Sequence, residues 1–181
     1  MDRQPVLQGD RLHLRPLAES DRAALYAVAS DPQVWGQHPI HDRWREDVFG
    51  AFFDEAMASG GALAIIERAT GAIVGSSRFV FQTALVGDPL EIGWTFLATR
   101  LWGTGANTEL KRLMLGHALA GVERVVFRVG ENNLRSRRAL EKIGARLTHE
   151  VEHGEYRGQP VVHVVYQIGR AGFASGPLSA R

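Results

Sequence analysis

The chain has 181 residues, enough for one domain with a sizeable core, and 45% of them are hydrophobic. Its 21 Lys and Arg balance 20 Asp and Glu, which excludes a general affinity for nucleic acid. Cysteine is absent, so disulfides, thiolate metal sites and a cysteine acyl-enzyme are excluded, and a reducing cytoplasm is the expected location.

Leu12, Leu14 and Leu17, interleaved with His13 and Arg15, predict a first strand. Glu19-Ser20-Asp21 supplies cap-type residues before Ala23, Ala24, Leu25 and Val28, a helix that stops at Asp31-Pro32. Val48, Phe52, Phe53 and Met57 predict a second helix over Arg45 to Met57, ended by Gly60-Gly61. Ala62–Glu67 and Ala72–Phe81 read as paired strands across a turn at Arg68 to Gly71. A loop from Thr83 to Pro89 leads to a strand over Leu90–Leu97. Leu110, Leu113, Met114 and Ala118 share one face of the next helix, which Gly121 stops. Arg124–Val129 is a buried strand. Asn132 or Asn133 caps a helix to Ile143 that Gly144 terminates. Strands over Leu147–Glu152 and Val161–Ile168 flank the turn-rich stretch from His153 to Pro160. The domain is expected over residues 1–168, with 169–181, rich in Gly, Ala and Ser, as a disordered tail. Met1-Asp2-Arg3-Gln4-Pro5 lacks a signal-peptide core, and no stretch approaches the ~20 apolar residues that span a bilayer. No membrane partner and no metal site are expected, since the histidines show no ligand spacing.

The most informative run is Phe96 to Asn107, which joins the strand to the amphipathic helix through Gly103 and Gly105. Such a junction leaves backbone N–H groups pointing out of a helix start, where the macrodipole adds about half a positive charge. Glycines let the backbone approach a ligand without a Cβ in the way. The reading is an anion site for phosphate or pyrophosphate; the alternative is a tight turn that only caps the helix. A P-loop would require Lys and Ser or Thr where Ala106-Asn107 stand, and a dinucleotide fingerprint a third glycine where Thr108 stands.

The order of elements resembles that of the GNAT acetyltransferases, and three segments make the resemblance specific. Trp102 to Lys111 is similar to the acyl-CoA loop of the RimJ/RimL-like branch. Glu131 to Ala145, with Asn133, Ser136 and the closing Gly144-Ala145, is similar to that branch's second motif, and Glu91-Ile92-Gly93-Trp94 to a third. The likeness covers roughly residues 10 to 168. It implies an α+β fold of three α/β/α layers. The central sheet would be mixed and mostly antiparallel, with about seven strands and a splay between the fourth and fifth. In the branch's register Trp102 takes the usual Gln or Arg place, Gly105 is the first required glycine, and Asn107 stands where Gly or Ala is usual.

The same resemblance implies acetyl-CoA as co-substrate. Phe96, Leu97, Trp102, Gly103, Thr104, Gly105, Ala106, Asn107, Asn133 and Ser136 would contact it, with the thioester near Leu97. The Leu97 N–H would polarise the acetyl oxygen, a contact that strengthens as negative charge develops. Asn133 would hold the pantetheine amide, or only cap its helix.

Ser136 lies on a stripe with Ala139, Leu140 and Ile143, facing inward, where a hydroxyl needs a partner. Many family members carry a tyrosine as acid for the departing thiolate where this chain has Leu140. In the branch the serine takes that role, which carries over to Ser136. The alternative is a hydroxyl bonded to a carbonyl one turn earlier. Glu91 is the candidate base; strand alternation places it with Gly93 and Thr95, opposite Leu90, Ile92, Trp94 and Phe96. The alternative is a solvated carboxylate paired with an arginine such as Arg78. Arg135, Arg137 and Arg138 would meet the cofactor's 3′-phosphate, or form a solvated helix face. Trp35, His38, His41 and Trp44, between the first two helices, either wall an acceptor pocket with Trp94 or pack as a lid.

The expected activity is acetyl transfer from acetyl-CoA to a primary amine by direct attack in a ternary complex. A protein N-terminal α-amine is the acceptor the branch implies. A small-molecule amine such as an aminoglycoside or polyamine, or a non-catalytic acetyl-CoA sensor, are the alternatives. At pH 7 an α-amine costs only ~1.4 kcal/mol to deprotonate and a lysine about 4.6, so the first needs the milder base. The expected state is monomer or homodimer.

Overall fold

The computed structural model describes residues 1–82 and 89–179; the loop expected from Thr83 to Pro89 lies, except for Pro89, outside the described residues. One eight-stranded sheet organises the chain, in the order β1-β2-β3-β4-β5-β6-β8-β7. The strands are β1 (Leu7–Gln8), β2 (Leu12–Pro16), β3 (Ala62–Glu67), β4 (Ile73–Phe81), β5 (Leu90–Leu97), β6 (Arg124–Gly130), β7 (Arg146–Tyr156) and β8 (Gln159–Gly169). All neighbouring pairs are antiparallel except β5 and β6. This is the mixed, mostly antiparallel α+β sheet the sequence implied, with the two-residue β1 as an added edge.

The parallel pair β5–β6 is in register only at Leu90 with Val125 and Glu91 with Val126. Beyond that point no pairing continues, although β5 runs on to Leu97 and β6 to Gly130. This divergence is the splay between the fourth and fifth long strands.

Apolar stripes decide which helix covers which face. Helices α1 (Arg22–Ala29) and α2 (Glu46–Ala58) bury Leu25, Phe49, Phe52 and Phe53 with Phe96 in one cluster. Helices α3 (Ala106–Gly121) and α4 (Leu134–Lys142) contribute Leu110, Met114 and Leu140 to a second cluster with Ile92, Val125 and Phe127. The sheet lies between them, which gives three layers. Fully burying such side chains contributes roughly 1.5–3 kcal/mol each relative to exposure.

Two expectations are corrected. The stretch from His153 to Pro160 is mostly strand, because the β7–β8 hairpin needs only Arg157-Gly158 to turn, at φ 51° and 75°. Two successive positive φ values match the twist of the flanking strands, so pairing continues to Tyr156 and Gln159. The expected disordered tail instead begins as helix α5 (Arg170–Ala174), with Phe173 and Leu178 packed on the core. Its small residues hid two apolar anchors. Among the described residues no helix is long and apolar enough to cross a membrane.

Candidate active site

At its end β5 is still paired with β4: Ala98 N–H donates to Val74 O at 2.8 Å. By strand alternation the neighbouring Leu97 N–H points the other way, towards the splay. A short turn over Thr99–Leu101 follows, then Trp102, whose indole N–H donates to Leu97 O at 3.2 Å. Gly103 and Gly105 sit at φ 74° and 91°, a left-handed region that other residues enter only with strain. A Cβ built on either glycine would meet nothing within 4 Å, so both face open space.

The loop is held from behind. Both terminal nitrogens of Arg11 donate to Thr104 O at 2.7 Å, and Glu109 Oε1 accepts the N–H groups of Arg11 and Leu12 at 2.9 and 3.1 Å. Among the described residues, the N–H groups of Gly103, Gly105, Asn107 and Thr108 form no hydrogen bond. They lie in the turn before α3 and in its first residues, where the helix dipole adds its partial positive charge. This main-chain cradle suits a diphosphate. Ala106 is buried beneath it and Asn107 is half-buried.

Across the splay, Asn133 caps α4. Its Oδ1 accepts Ser136 N–H at 3.2 Å, and its own N–H reaches Gly130 O at 2.9 Å. Its capping role is therefore present, and Ser136 lies half-buried one turn into the helix. Arg135, beside them, stacks its guanidinium 3.8 Å from the Trp102 ring centroid and donates to Val34 O at 3.2 Å. Arg137 binds Tyr166 Oη at 3.1 Å and Glu131 O at 2.8 Å, while Arg138 is exposed.

The expected facing of β5 is corrected. Gly75 pairs with Leu97 and Ser76 with Phe96, but Arg78 pairs with Gly93, so Trp94 and Thr95 together oppose Ser77. This bulge, with Trp94 at φ 52°, breaks the two-residue alternation. Trp94 and Phe96 therefore join the α1/α2 side, and Leu97 joins Leu90 and Ile92 on the α3 side. Thr95 points to α3 as well, where its Oγ1 accepts Lys111 Nζ at 2.9 Å.

Glu91 is 2% exposed. Its Oε2 accepts Arg128 Nε at 2.9 Å and the Gln82 side-chain amide, and Arg128 Nη1 reaches on to Glu152 at 2.7 Å. The expected alternative of a solvated glutamate paired with Arg78 is thus corrected. Arg78 is instead buried between the Phe52 and Trp94 rings, 3.7 Å from Glu55, with its Nε unpartnered. Burial raises the Glu91 pKa, and the Arg128 charge partly opposes that shift. A carboxylate so placed is a stronger proton acceptor than a solvated one.

The segment between α1 and α2 forms a packed lid. Trp35 is buried, its indole N–H on Ala29 O at 2.7 Å and its ring 5.0 Å from that of Phe96. His38 Nε2 accepts Arg43 Nη1 at 3.1 Å; burial, then the Arg43 charge, hold its pKa down to about 3, so the ring is neutral. The β7–β8 hairpin straps this segment through Tyr156 Oη and Arg157, which bind Asp42 at 2.6 and 2.9 Å. His41 and Trp44 are exposed, and Trp94 is half-buried, its ring 4.6 Å from the Arg78 guanidinium and 5.7 Å from that of Arg128.

Sequence reasoning missed Arg128 and Lys111. Arg128 carries no local signal, because its partner comes from another strand. Lys111 did carry one: with Leu115 and Ala118 it occupies helical spacing on a buried stripe.

A mixed sheet thus opens between two parallel strands, with a helix N-terminus at one lip. The chain belongs to the GNAT acetyltransferase domain family, whose model matches residues 11–146. Among solved structures it is similar to a T. thermophilus protein taken to be an acetyltransferase. That match has 28% identity and TM-score 0.77, covering 98% of this chain and 95% of that one. A GCN5-related N-acetyltransferase from Brucella melitensis shares the fold at TM-score 0.81 and 20% identity, covering 97% and 82%. So does Mycobacterium smegmatis RimJ in complex with CoA-disulfide, at 0.75 and 18%, covering 97% and 92%.

Proposed function

We propose that this acetyltransferase moves the acetyl group of acetyl-CoA onto a primary amine by direct attack within a ternary complex. The observation that carries the reading is the continuity of the free N–H groups of Gly103, Gly105 and Asn107 with the open β5–β6 edge where Leu97 N–H points. The fold neighbour RimJ, bound to CoA-disulfide, supports it. Within the loop from Trp102 to Asn107 the free N–H groups of Gly103, Gly105 and Asn107 hold the diphosphate, those of Trp102, Thr104 and Ala106 being engaged within the turn, and Asn133 holds the pantetheine amide while capping α4. Leu97 N–H polarises the thioester carbonyl along the wall that Phe96 and Leu97 form. Glu91 takes the amine proton through a water relay, since Arg128 and Gln82 occupy its Oε2. Ser136 gives a proton to the departing thiolate.

A protein N-terminal α-amine is the acceptor we favour. Its low deprotonation cost, ~1.4 kcal/mol at pH 7, matches a carboxylate that is buried yet ion-paired. Trp94, with the lid at Trp35 and His38, flanks its approach. The test is CoA binding by calorimetry, followed by thiol release over a panel of N-terminal peptides, aminoglycosides and polyamines. Peptide-dependent release supports the proposal. Release with small amines alone moves the acceptor class, and binding without release across the panel favours a sensor.

A further inference from the structure

We infer that Lys111 is a catalytic residue whose ammonium faces the β5–β6 splay and stabilises the negative charge that develops on the thioester carbonyl oxygen. The inference rests on acetyl-CoA occupying that splay. Lys111 projects from α3, is 5% exposed, and reaches Thr95 Oγ1 on β5 at 2.9 Å. It also lies 5.3 Å from the Phe127 ring centroid on β6. Thr95 and Phe127 stand beyond the last paired residues of the two strands, so the amine sits between the walls where they have separated. Two residues from Thr95, Leu97 turns its N–H to the same edge. By the same alternation Thr95 N–H points there too, and the bulge at Trp94 has turned the Thr95 side chain towards α3.

A lysine buried like this is costly unless something pairs it. Among the described residues Lys111 makes no ion pair. The one charge that acts on it is Glu91 of β5, which is itself taken by Arg128 of β6. Three N–H donors therefore face one hydroxyl and one ring. A site that keeps an unpaired cation beside an acyl-binding wedge is preorganised for an anion that exists only during the reaction. Burial lowers the Lys111 pKa to about 7, so the charge is present at and below neutral pH and is lost above it.

The test compares wild type with Lys111→Met, which keeps length and removes charge. The expected result is a fall in kcat of about 100-fold, the scale of a lost oxyanion donor. CoA affinity by calorimetry should stay within about threefold, and the melting temperature should hold or rise, because a buried unpaired cation has been removed. The alkaline fall in kcat of wild type should also vanish. A kcat within about threefold of wild type, with the alkaline limb intact, overturns the inference. So does a lower melting temperature with a proportionate loss of CoA binding, which would mark a structural lysine. If Lys111→Met does not fold, Thr95→Val decides: losing the hydroxyl should move the alkaline limb to lower pH, and an unmoved limb overturns the inference. Failure of wild type to bind CoA would instead remove the proposed function, and that measurement is made first.

Discussion

The two halves of the site are built from different materials. The loop at 102–107, the proposed cradle, presents backbone: two glycines at positive φ, free N–H groups and a helix start. The chamber around Glu91 is built from charged side chains, the buried Arg78 and Lys111 and the half-buried Arg128 among them, which three strands and a helix bring together. A backbone cradle takes its shape from local sequence, with Arg11 as a brace behind it. A side-chain chamber depends on distant partners, so each loss strands a charge.

The comparison makes four predictions, the largest effect first. Removing Arg128 leaves Glu91 buried beside Gln82 without its cation, so Arg128→Ala should lower unfolding free energy by about 3 kcal/mol in urea titration. A loss below ~1 kcal/mol would mean the chamber is more solvated than its burial indicates. Glu91→Gln should keep CoA affinity and lower kcat about 100-fold, the lower end of general-base effects. Equal rates with chemistry limiting would remove Glu91 from the proton path.

The third prediction concerns pH. His38 binds its proton far more weakly folded, near pKa 3, than at its ordinary 6.5, so its contribution is whole above pH 6.5 and is lost as pH falls from there towards 3. Wild type should lose about 2 kcal/mol from this group by pH 5, and His38→Gln should flatten that part of the stability profile. A variant that follows the wild-type curve would contradict a neutral buried imidazole. The smallest effect tests the cradle: Gly105→Ala should weaken CoA binding by about tenfold through strain at φ 91°, while Asn107→Ala stays within threefold. If the asparagine proves the more damaging, the loop binds through side chains after all.

This contrast also explains what was legible in the sequence. The strands over Ala62–Glu67 and Leu90–Leu97, and the start of α3 after Gly105, could be read because alternation, helical spacing and glycine act over a few residues. The Asn133 cap of α4 was readable for the same reason. The facing of Thr95 and Trp94 was not, since one bulge shifts a two-residue period and alternation cannot announce it. Arg128 as the partner of Glu91 was hidden by a separation of 37 residues. Lys111 was passed over because lysine is ordinarily a surface residue, although its place in a buried stripe was there to be counted.

The turn between β1 and β2 reaches further than its position near the start of the chain suggests. A Cβ on Gly9 would fall 2.1 Å from Glu109 Oε1, the oxygen that receives Arg11 and Leu12 N–H, while Arg11 clasps Thr104 O. Bulk added at Gly9 would push that carboxylate aside and release the first turn of α3 about a hundred residues away. The opening residues thus brace the start of α3, where the diphosphate cradle is proposed. Tags or truncations that disturb them should be judged by coenzyme affinity before they are treated as silent.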